Sequence, residues 1–312
     1  MLLAALLMVV SLGRGAVQQT YTAPADFADA KTVVIPPGGL AEAGQALAQA
    51  GVIQYPLLFR VAAFLTHSQG HIHAGEFLIP AHSSLAQLLN ILRFGVVVQH
   101  HVTIPEGLTG IQIAKILNAA PDASGTISAP PEGAVLPQTY DYTLNTPRTV
   151  ILHRAEKAET AALAQAWAGR DRTVALSMRE ALILASIVQE ETPLADELPK
   201  VAAVYENRLA KGMKLQADPT VIYGASGGAL ASGVAITRSD LENPNPYNSY
   251  VNAGLPPGPI CAPGLAALNA VLHPASSDDL YFVATGTGGH VFSRTYKQQL
   301  TNIAAYHAAI GH

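Results

Sequence analysis

A segment reading LILASIVQEE, closed by Thr192-Pro193, sets the tightest constraint on this chain. Leu184, Ile187, Val188 and Glu191 recur at i, i+3, i+4 and i+7, so the segment predicts a helix whose apolar face is continued by a carboxylate. Glu190 falls about 100° further round, on the more polar side. An ionised carboxylate on a buried stripe is costly unless paired, so Glu191 is expected to keep its proton near neutrality. Pro193 disfavours helical geometry at Thr192, which ends the helix near Glu191. The negative end of the helix dipole raises a carboxyl pKa there as well. A carboxylic acid held neutral suits general-acid cleavage of a glycosidic bond. An ordinary ion-paired helix end is the other reading of the same residues.

Composition excludes several classes of function. The 312 residues are 49% hydrophobic and only 13% charged, which rules out bulk disorder. No run reaches the roughly 20 apolar residues of a spanning helix, so a polytopic membrane protein is excluded. Eighteen Lys and Arg are spread along a chain of net charge −4, leaving no basic footprint for nucleic acid. The single cysteine, Cys261, sits beside Ile260 and Ala262 and reads as a small apolar filler. One cysteine also excludes an internal disulfide framework and any multi-cysteine metal site.

Met1–Leu12 (MLLAALLMVVSL) carries no charge, is too short to span a bilayer, and lacks the basic start of a signal peptide. With the turn-rich stretch that follows, residues 1–28 read as a truncated signal-anchor and tether, with a cleaved signal peptide or a buried N-terminal helix as the alternatives. Residues 29–118 are expected to form a small α/β domain. Its elements are a strand from Lys31, helices Leu40–Ala50 and Pro56–Leu65, and the strand AGEFLIP. A helix Leu85–Phe94 capped by Ser83 or Ser84, a strand over Val96–Gly107 and a helix Leu108–Asn118 complete it. A segment rich in Pro, Gly, Ser and Thr, 119–148, joins it to a larger domain, 149–312. There the pattern predicts helices Val150–Trp167, Met178–Glu191 and Asp196–Lys211. Beyond Leu215, short strands (TVIY, LYFVAT, HVFS) alternate with Pro/Gly loops before a last helix, Leu300–Ile310. No βαβ alternation appears, so the fold class is α+β.

Gly224–Gly228 (GASGG) matches the nucleophile-elbow pattern but runs into a glycine-rich turn where the elbow needs a helix. His67, His71 and His73 lie close in sequence without an obvious fourth ligand and read as surface histidines. Gly286–Gly289 reads as a hairpin turn. Four segments carry unusual polar density: LQADPTVIYG (Leu215–Gly224), NPNPYNSY (Asn243–Tyr250), GLPPGPICAPG (Gly254–Gly264) and GGHVFS (Gly288–Ser293). Tyrosines with Asn, Gln and Asp on proline-stiffened loops suit the gripping of sugar rings.

These segments, with ASIVQEET, KVAAVYENRLAKGMKL and HPA, stand in an order and spacing that resembles the endolytic murein transglycosylase family, the bacterial peptidoglycan terminases. The resemblance runs from Ala181 to about Tyr306, and the upstream PEG, AGEFLIP and LPQTY segments fit it too. It implies that the small domain is LysM-like and that 149–312 is a transglycosylase domain. It also implies a single-pass anchor in the bacterial inner membrane, with the catalytic domain in the periplasm. The implied substrate is the nascent glycan strand of peptidoglycan, cut between N-acetylmuramic acid and N-acetylglucosamine to leave a 1,6-anhydro end. Penicillin-binding cell-wall synthases are the implied partners, and no metal or cofactor is implied.

In the family motif, ASI-x-E-x-ET, the catalytic glutamate directly precedes threonine, which here is Glu191. The motif's other glutamate is replaced by Gln189, removing a like charge whose repulsion would raise the Glu191 pKa. Gln216, Asp218, Tyr223, Asn248, Tyr250 and His290 are expected to line the cleft, with Asp218 orienting water or stabilising the cation. A hydrolase ordinarily needs two carboxylates. A transglycosylase dispenses with the second, because the substrate's own C6 hydroxyl attacks with high effective molarity. Two other readings stay open: a muramidase pairing Glu191 with Asp218 or Glu206, and a non-catalytic glycan-binding scaffold.

Overall fold

A computed structural model describes residues 18–67, 70–229 and 234–311. The chain forms two compact units: one holds the residues up to His100 together with Asp141–Thr146, the other His101–Tyr140 together with Pro147 onward.

In the first unit the order is β1 (Lys31–Ile35), α1 (Leu40–Gln49), α2 (Pro56–Leu65), β2 (Gly75–Ile79) and α3 (Leu85–Phe94). β1 and β2 pair antiparallel, with Val33 opposite Phe77. Alternation along the strands turns Val33, Ile35, Phe77 and Ile79 inward, where they meet Leu47, Phe59, Leu88, Leu89 and Leu92. Ser84 opens α3 through a reciprocal cap, accepting from the Gln87 amide at 3.3 Å while its own amide donates to the Gln87 side chain at 2.8 Å. The LysM-like character of this unit rests on the resemblance alone.

The second unit contains α4 (Gly110–Ala119), α5 (Arg148–Ala168), α6 (Met178–Glu191), α7 (Leu198–Ala210), α8 (Asp218–Ser226) and α9 (Arg238–Glu242). It ends with α10 (Leu265–Leu272), the hairpin β5 (Tyr281–Ala284) and β6 (His290–Ser293), and α11 (Tyr296–Ile310). The chain passes between the units in β3 (His100–Thr103) and β4 (Thr139–Tyr142), which pair with one another. Mixed helices and small two-stranded sheets make the fold α+β. The core is a three-helix contact: Leu184, Ala185, Ile187 and Val188 of α6 pack against Val201, Ala202 and Tyr205 of α7 and Ala267, Leu268 and Val271 of α10. Small residues let α6 sit deep in this contact. Within it the Ser186 hydroxyl donates back to the Ile183 carbonyl at 2.7 Å and accepts from the Ile260 amide at 3.0 Å.

Several elements differ from the sequence reading. TVIY is helical, not extended: Asp218-Pro219 opens α8, proline being pre-set for a first helical turn, and Gly227 closes it in the left-handed conformation. GASGG is therefore the C-terminal turn of α8. LAALNAVL forms α10, which follows a proline-rich loop and is apolar on nearly every face, so it carries no helical period to read. The strand predicted over Val96–Gly107 is confined to His100–Thr103. The compact units divide the chain at His100, not at 118, because the segment read as a connector packs into the second unit. The Arg148 guanidinium binds the carbonyls of Leu117, Ala120 and Gly125 at 2.7–2.8 Å, and the Leu136 amide donates to the Ala155 carbonyl.

Among the described residues no helix is long and apolar enough to cross a membrane. The expected single-pass inner-membrane anchor, with the catalytic domain in the periplasm, is corrected on that finding. Met1–Leu12, on which it was read, lies outside the described residues.

Candidate active site

Glu191 is the last residue of α6, and Thr192 after it is extended (φ −150°, ψ 136°), as Pro193 requires. The Tyr205 hydroxyl donates to Glu191 Oε1 at 2.5 Å. Burial pushes the Glu191 carboxyl up to about 7; the Tyr205 hydrogen bond opposes this, Asp218 and Glu190 add repulsion, and Arg208 adds attraction. In this environment the carboxyl is partly protonated near neutrality.

Tyr205 stands one helical turn after Val201 on the buried face of α7 and is 1% exposed. Its ring meets Phe282 of β5 edge-on, with centroids 5.8 Å apart. Burial and the Glu191 carboxyl keep the phenol well above its ordinary pKa, so it remains a donor. Arg208, at i+3, is spent on backbone: Nε donates to the Leu280 carbonyl at 2.7 Å and Nη1 to the Leu215 carbonyl at 2.6 Å. Its fixed positive charge thereby ties the β5 hairpin and the QADP loop to α7.

Two of the polar loops are stitched together. The Gln216 amide donates to the Ser249 carbonyl at 3.2 Å, and the Ala217 amide to the Ser249 hydroxyl at 2.9 Å. Gln216 itself is in the left-handed region (φ 52°), which turns the chain into α8. Asp218, exposed at the first position of α8, accepts from the Tyr250 hydroxyl at 2.6 Å. Burial and Asp218 together push the Tyr250 phenol up. Glu191, Tyr205, Asp218 and Tyr250 thus form one electrostatically connected group.

The other expected cleft residues sit differently. Asn248 is 1% exposed, and its amide nitrogen faces the carbonyls of Asp240, Leu241 and Asn243 while its oxygen accepts from the Tyr250 amide at 2.9 Å. It builds the loop that presents Tyr250 and has no polar atom left for a ligand. Tyr223 belongs to a second cluster: its ring lies 4.7 Å from that of Tyr247, and its hydroxyl donates to Glu132 at 3.4 Å.

His290 binds Glu197 twice, through its amide and through Nδ1, both at 2.7 Å. Burial acts to raise the Glu197 carboxyl, but the His290 and Thr192 hydrogen bonds outweigh it and hold the pKa below its usual value. Thr192–Glu197–His290 therefore braces the end of α6 against the β-hairpin, and Phe282 touches both the His290 ring and the Tyr205 ring. Glu206, the other candidate second carboxylate, lies next to Tyr205 on α7 and has Asp171 as its charged neighbour.

Upstream residues also reach this unit. Gly107 of the PEG segment, at φ 80°, approaches the Glu190 carboxyl where any Cβ would collide with it. Gln189 accepts from the Gly264 amide at 2.8 Å, joining the end of α6 to the start of α10. Among the described residues no group of three His, Cys, Asp or Glu side chains is placed to hold a metal ion. Tyr205, Arg208 and Glu197 are the residues that sequence reasoning missed. Their signal was phase along α7: from the buried Val201, Glu197 falls at i−4, Tyr205 at i+4 and Arg208 at i+7.

Fold and site together describe an α+β protein with a carboxyl at a helix end whose pKa burial raises to about 7 and which accepts from one tyrosyl hydroxyl. The YceG-like family matches residues 33–305, and the chain belongs to that family. It is 36% identical over 174 residues to a Bacillus subtilis protein named endolytic murein transglycosylase, covering 55% of this chain and 47% of the relative. A Streptococcus pneumoniae protein of the same name is 28% identical over 308 residues, covering 84% of this chain and 55% of the relative. The chain spans about half the length of these curated relatives. The crystal structure of a putative yceG-like protein from Listeria monocytogenes is similar, with a TM-score of 0.56 and 27% identity, covering 88% of this chain and 98% of that one.

Proposed function

We propose that this chain is the glycan-cleaving part of an endolytic murein transglycosylase, with Glu191 as its general acid and base. The observation that carries the reading is the Glu191 carboxyl, raised to about 7 by burial at a helix end. The names of its relatives supply the substrate class: the glycan strand of peptidoglycan.

In this mechanism protonated Glu191 gives its proton to the oxygen linking N-acetylmuramic acid to N-acetylglucosamine as the C1–O bond breaks. Positive charge develops at C1 and the ring oxygen, and the exposed carboxylate of Asp218 helps to offset it. The C6 hydroxyl of the same muramic acid then attacks C1. Its proton passes to the Glu191 carboxylate, which returns to its starting state. No water is consumed, and the products are a 1,6-anhydromuramic acid end and a new N-acetylglucosamine end. Cutting within a growing strand terminates it, and penicillin-binding synthases are the machinery such an activity would work beside.

The test is mass spectrometry of products from nascent, uncrosslinked peptidoglycan, with wild type beside Glu191→Gln. Internal fragments ending in 1,6-anhydromuramic acid, lost in the variant, are expected. Reducing ends would mean a muramidase, and equal product from the variant would remove Glu191 from the chemistry. Strand binding without cleavage by either protein would leave a scaffold.

A further inference from the structure

The two oxygens of the Glu191 carboxyl are not equivalent. Oε1 receives the hydroxyl proton of Tyr205, and that hydroxyl has a single proton to give. The phenol cannot swing away, because its ring is buried in the contact between α6 and α7 and set edge-on against Phe282. A neutral carboxyl carries one proton. Placing it on Oε1 would point two hydroxyl hydrogens toward one short contact, so the acid's own proton belongs on Oε2.

We propose that Tyr205 is a positioning residue: its hydroxyl locks the Glu191 carboxyl through Oε1 and leaves Oε2 as the oxygen that gives and takes back the proton. This rests on the function proposed above and deepens it, for it assigns the acid and base roles to one atom. A single fixed oxygen can serve both halves of the reaction without rotation of the carboxyl, since the glycosidic oxygen and the C6 hydroxyl lie on the same sugar unit.

The hydrogen bond has an electrostatic consequence that packing alone lacks. A donor to a carboxylate stabilises its charged form, so Tyr205 holds the Glu191 pKa below the level that burial alone would set. The other groups acting on Glu191 come from every side: Glu190 on α6, Arg208 on α7, Asp218 at the start of α8 and Tyr250 from its loop. Tyr205→Phe removes one oxygen atom and leaves all of these in place.

The experiment is a carbon-13 NMR titration of side-chain-labelled glutamate, with the Glu191 carboxyl resonance identified by its loss in Glu191→Gln. In Tyr205→Phe the Glu191 midpoint is expected to move up by about one unit, and the basic limb of kcat/KM to move with it. KM is expected to stay within about twofold, because Tyr205 is beneath the acid and not against the sugar. An unchanged midpoint in folded Tyr205→Phe would overturn the proposal and reduce Tyr205 to a core residue. Should that variant fail to fold, the wild-type protein gives the answer: a downfield hydroxyl proton resonance that disappears in Glu191→Gln is expected, and its absence overturns the proposal. The titration is read without turnover. A shifted midpoint in a protein that cleaves nothing would refute the proposed reaction while leaving the Tyr205 hydrogen bond established.

Discussion

The Tyr250 hydroxyl donates to Asp218 Oδ1 at 2.6 Å, so the first residue of α8 and the NPNPYNSY loop are joined at their tips. Glu191 has Tyr205 and Asp218 has Tyr250: two carboxylates, each capped by one phenol, one half-buried and one exposed. If Asp218 offsets charge developing on the sugar ring, Asp218→Asn lowers kcat by about a hundredfold with little change in KM. Tyr250→Phe leaves the carboxylate in place but unsteered, and a smaller loss is expected. Steady-state rates on isolated glycan strands decide it: turnover of Asp218→Asn within about threefold of wild type would end any role for that charge.

Asn248 offers a sharper separation between scaffold and ligand contact. Its amide nitrogen lies 2.8–3.1 Å from three backbone carbonyls in the turn before Tyr247; the Asp240 carbonyl keeps the Asn243 amide in Asn248→Ala, whereas those of Leu241 and Asn243 lose the Asn248 amide. These carbonyls are only partly shielded, so water replaces some of what is lost, and a drop of about 1 kcal/mol in unfolding free energy is expected. Urea titration of the variant measures this. A variant as stable as wild type but with a raised KM would return Asn248 to the list of substrate contacts.

The candidate site could be proposed from sequence because one residue broke a pattern. Glu191 could be singled out since a carboxylate at the i+7 position of an apolar stripe has no cheap structural explanation, and Pro193 marked where its helix stopped. Tyr205 sits on a stripe just as surely, yet a tyrosine among Val201 and Ala202 looks like ordinary core until its hydroxyl is seen to have a partner on another helix. His290 and Asn248, expected to line the cleft, show the opposite pattern. Polar residues on loops suggest ligands, but these two bond inward, to Glu197 and to backbone. α8 was misread because Thr220, Val221 and Ile222 favour strands locally, whereas the Asp218-Pro219 start and the Gly227 stop decide the outcome. The boundary at His100 depends on Arg148 reaching back to carbonyls some thirty residues earlier, a contact that no local pattern encodes.

Glu159 of α5 predicts a pH dependence of stability unrelated to the site. It is 4% exposed, Oε1 has no hydrogen-bond partner, and burial raises its pKa from 4.5 to about 7. A carboxyl raised on folding stabilises fully below its unfolded pKa, and that contribution is lost as pH climbs through the folded one. Glu159 therefore subtracts roughly 3 kcal/mol between about pH 4.5 and 7. Glu159→Met, similar in size and uncharged, is expected to match wild type near pH 4.5 and to exceed it above neutrality. Urea unfolding at the two pH values tests this, and parallel curves would show that Glu159 stays charged without penalty.

Gln189 yields a prediction of the opposite sign. Its Oε1 accepts from the amide of Gly264, the cap of α10, where the helix start favours a negative charge and the Glu106 carboxyl already lies alongside. Gln189→Glu keeps the acceptor and adds that charge, so the new carboxyl should titrate below the ordinary glutamate value. A carboxyl depressed on folding stabilises above its unfolded pKa and loses the effect as pH falls through the folded one. The variant is thus expected to gain about 0.5 kcal/mol at neutral pH and nothing in acid. Residues two apart on a helix point to different faces, so repulsion on Glu191 is indirect and its titration should rise by well under one unit. Parallel urea and NMR titrations separate the two effects. A destabilised Gln189→Glu at neutral pH would mean that repulsion from Glu106 and Glu190, not the α10 helix start, governs that corner of the site.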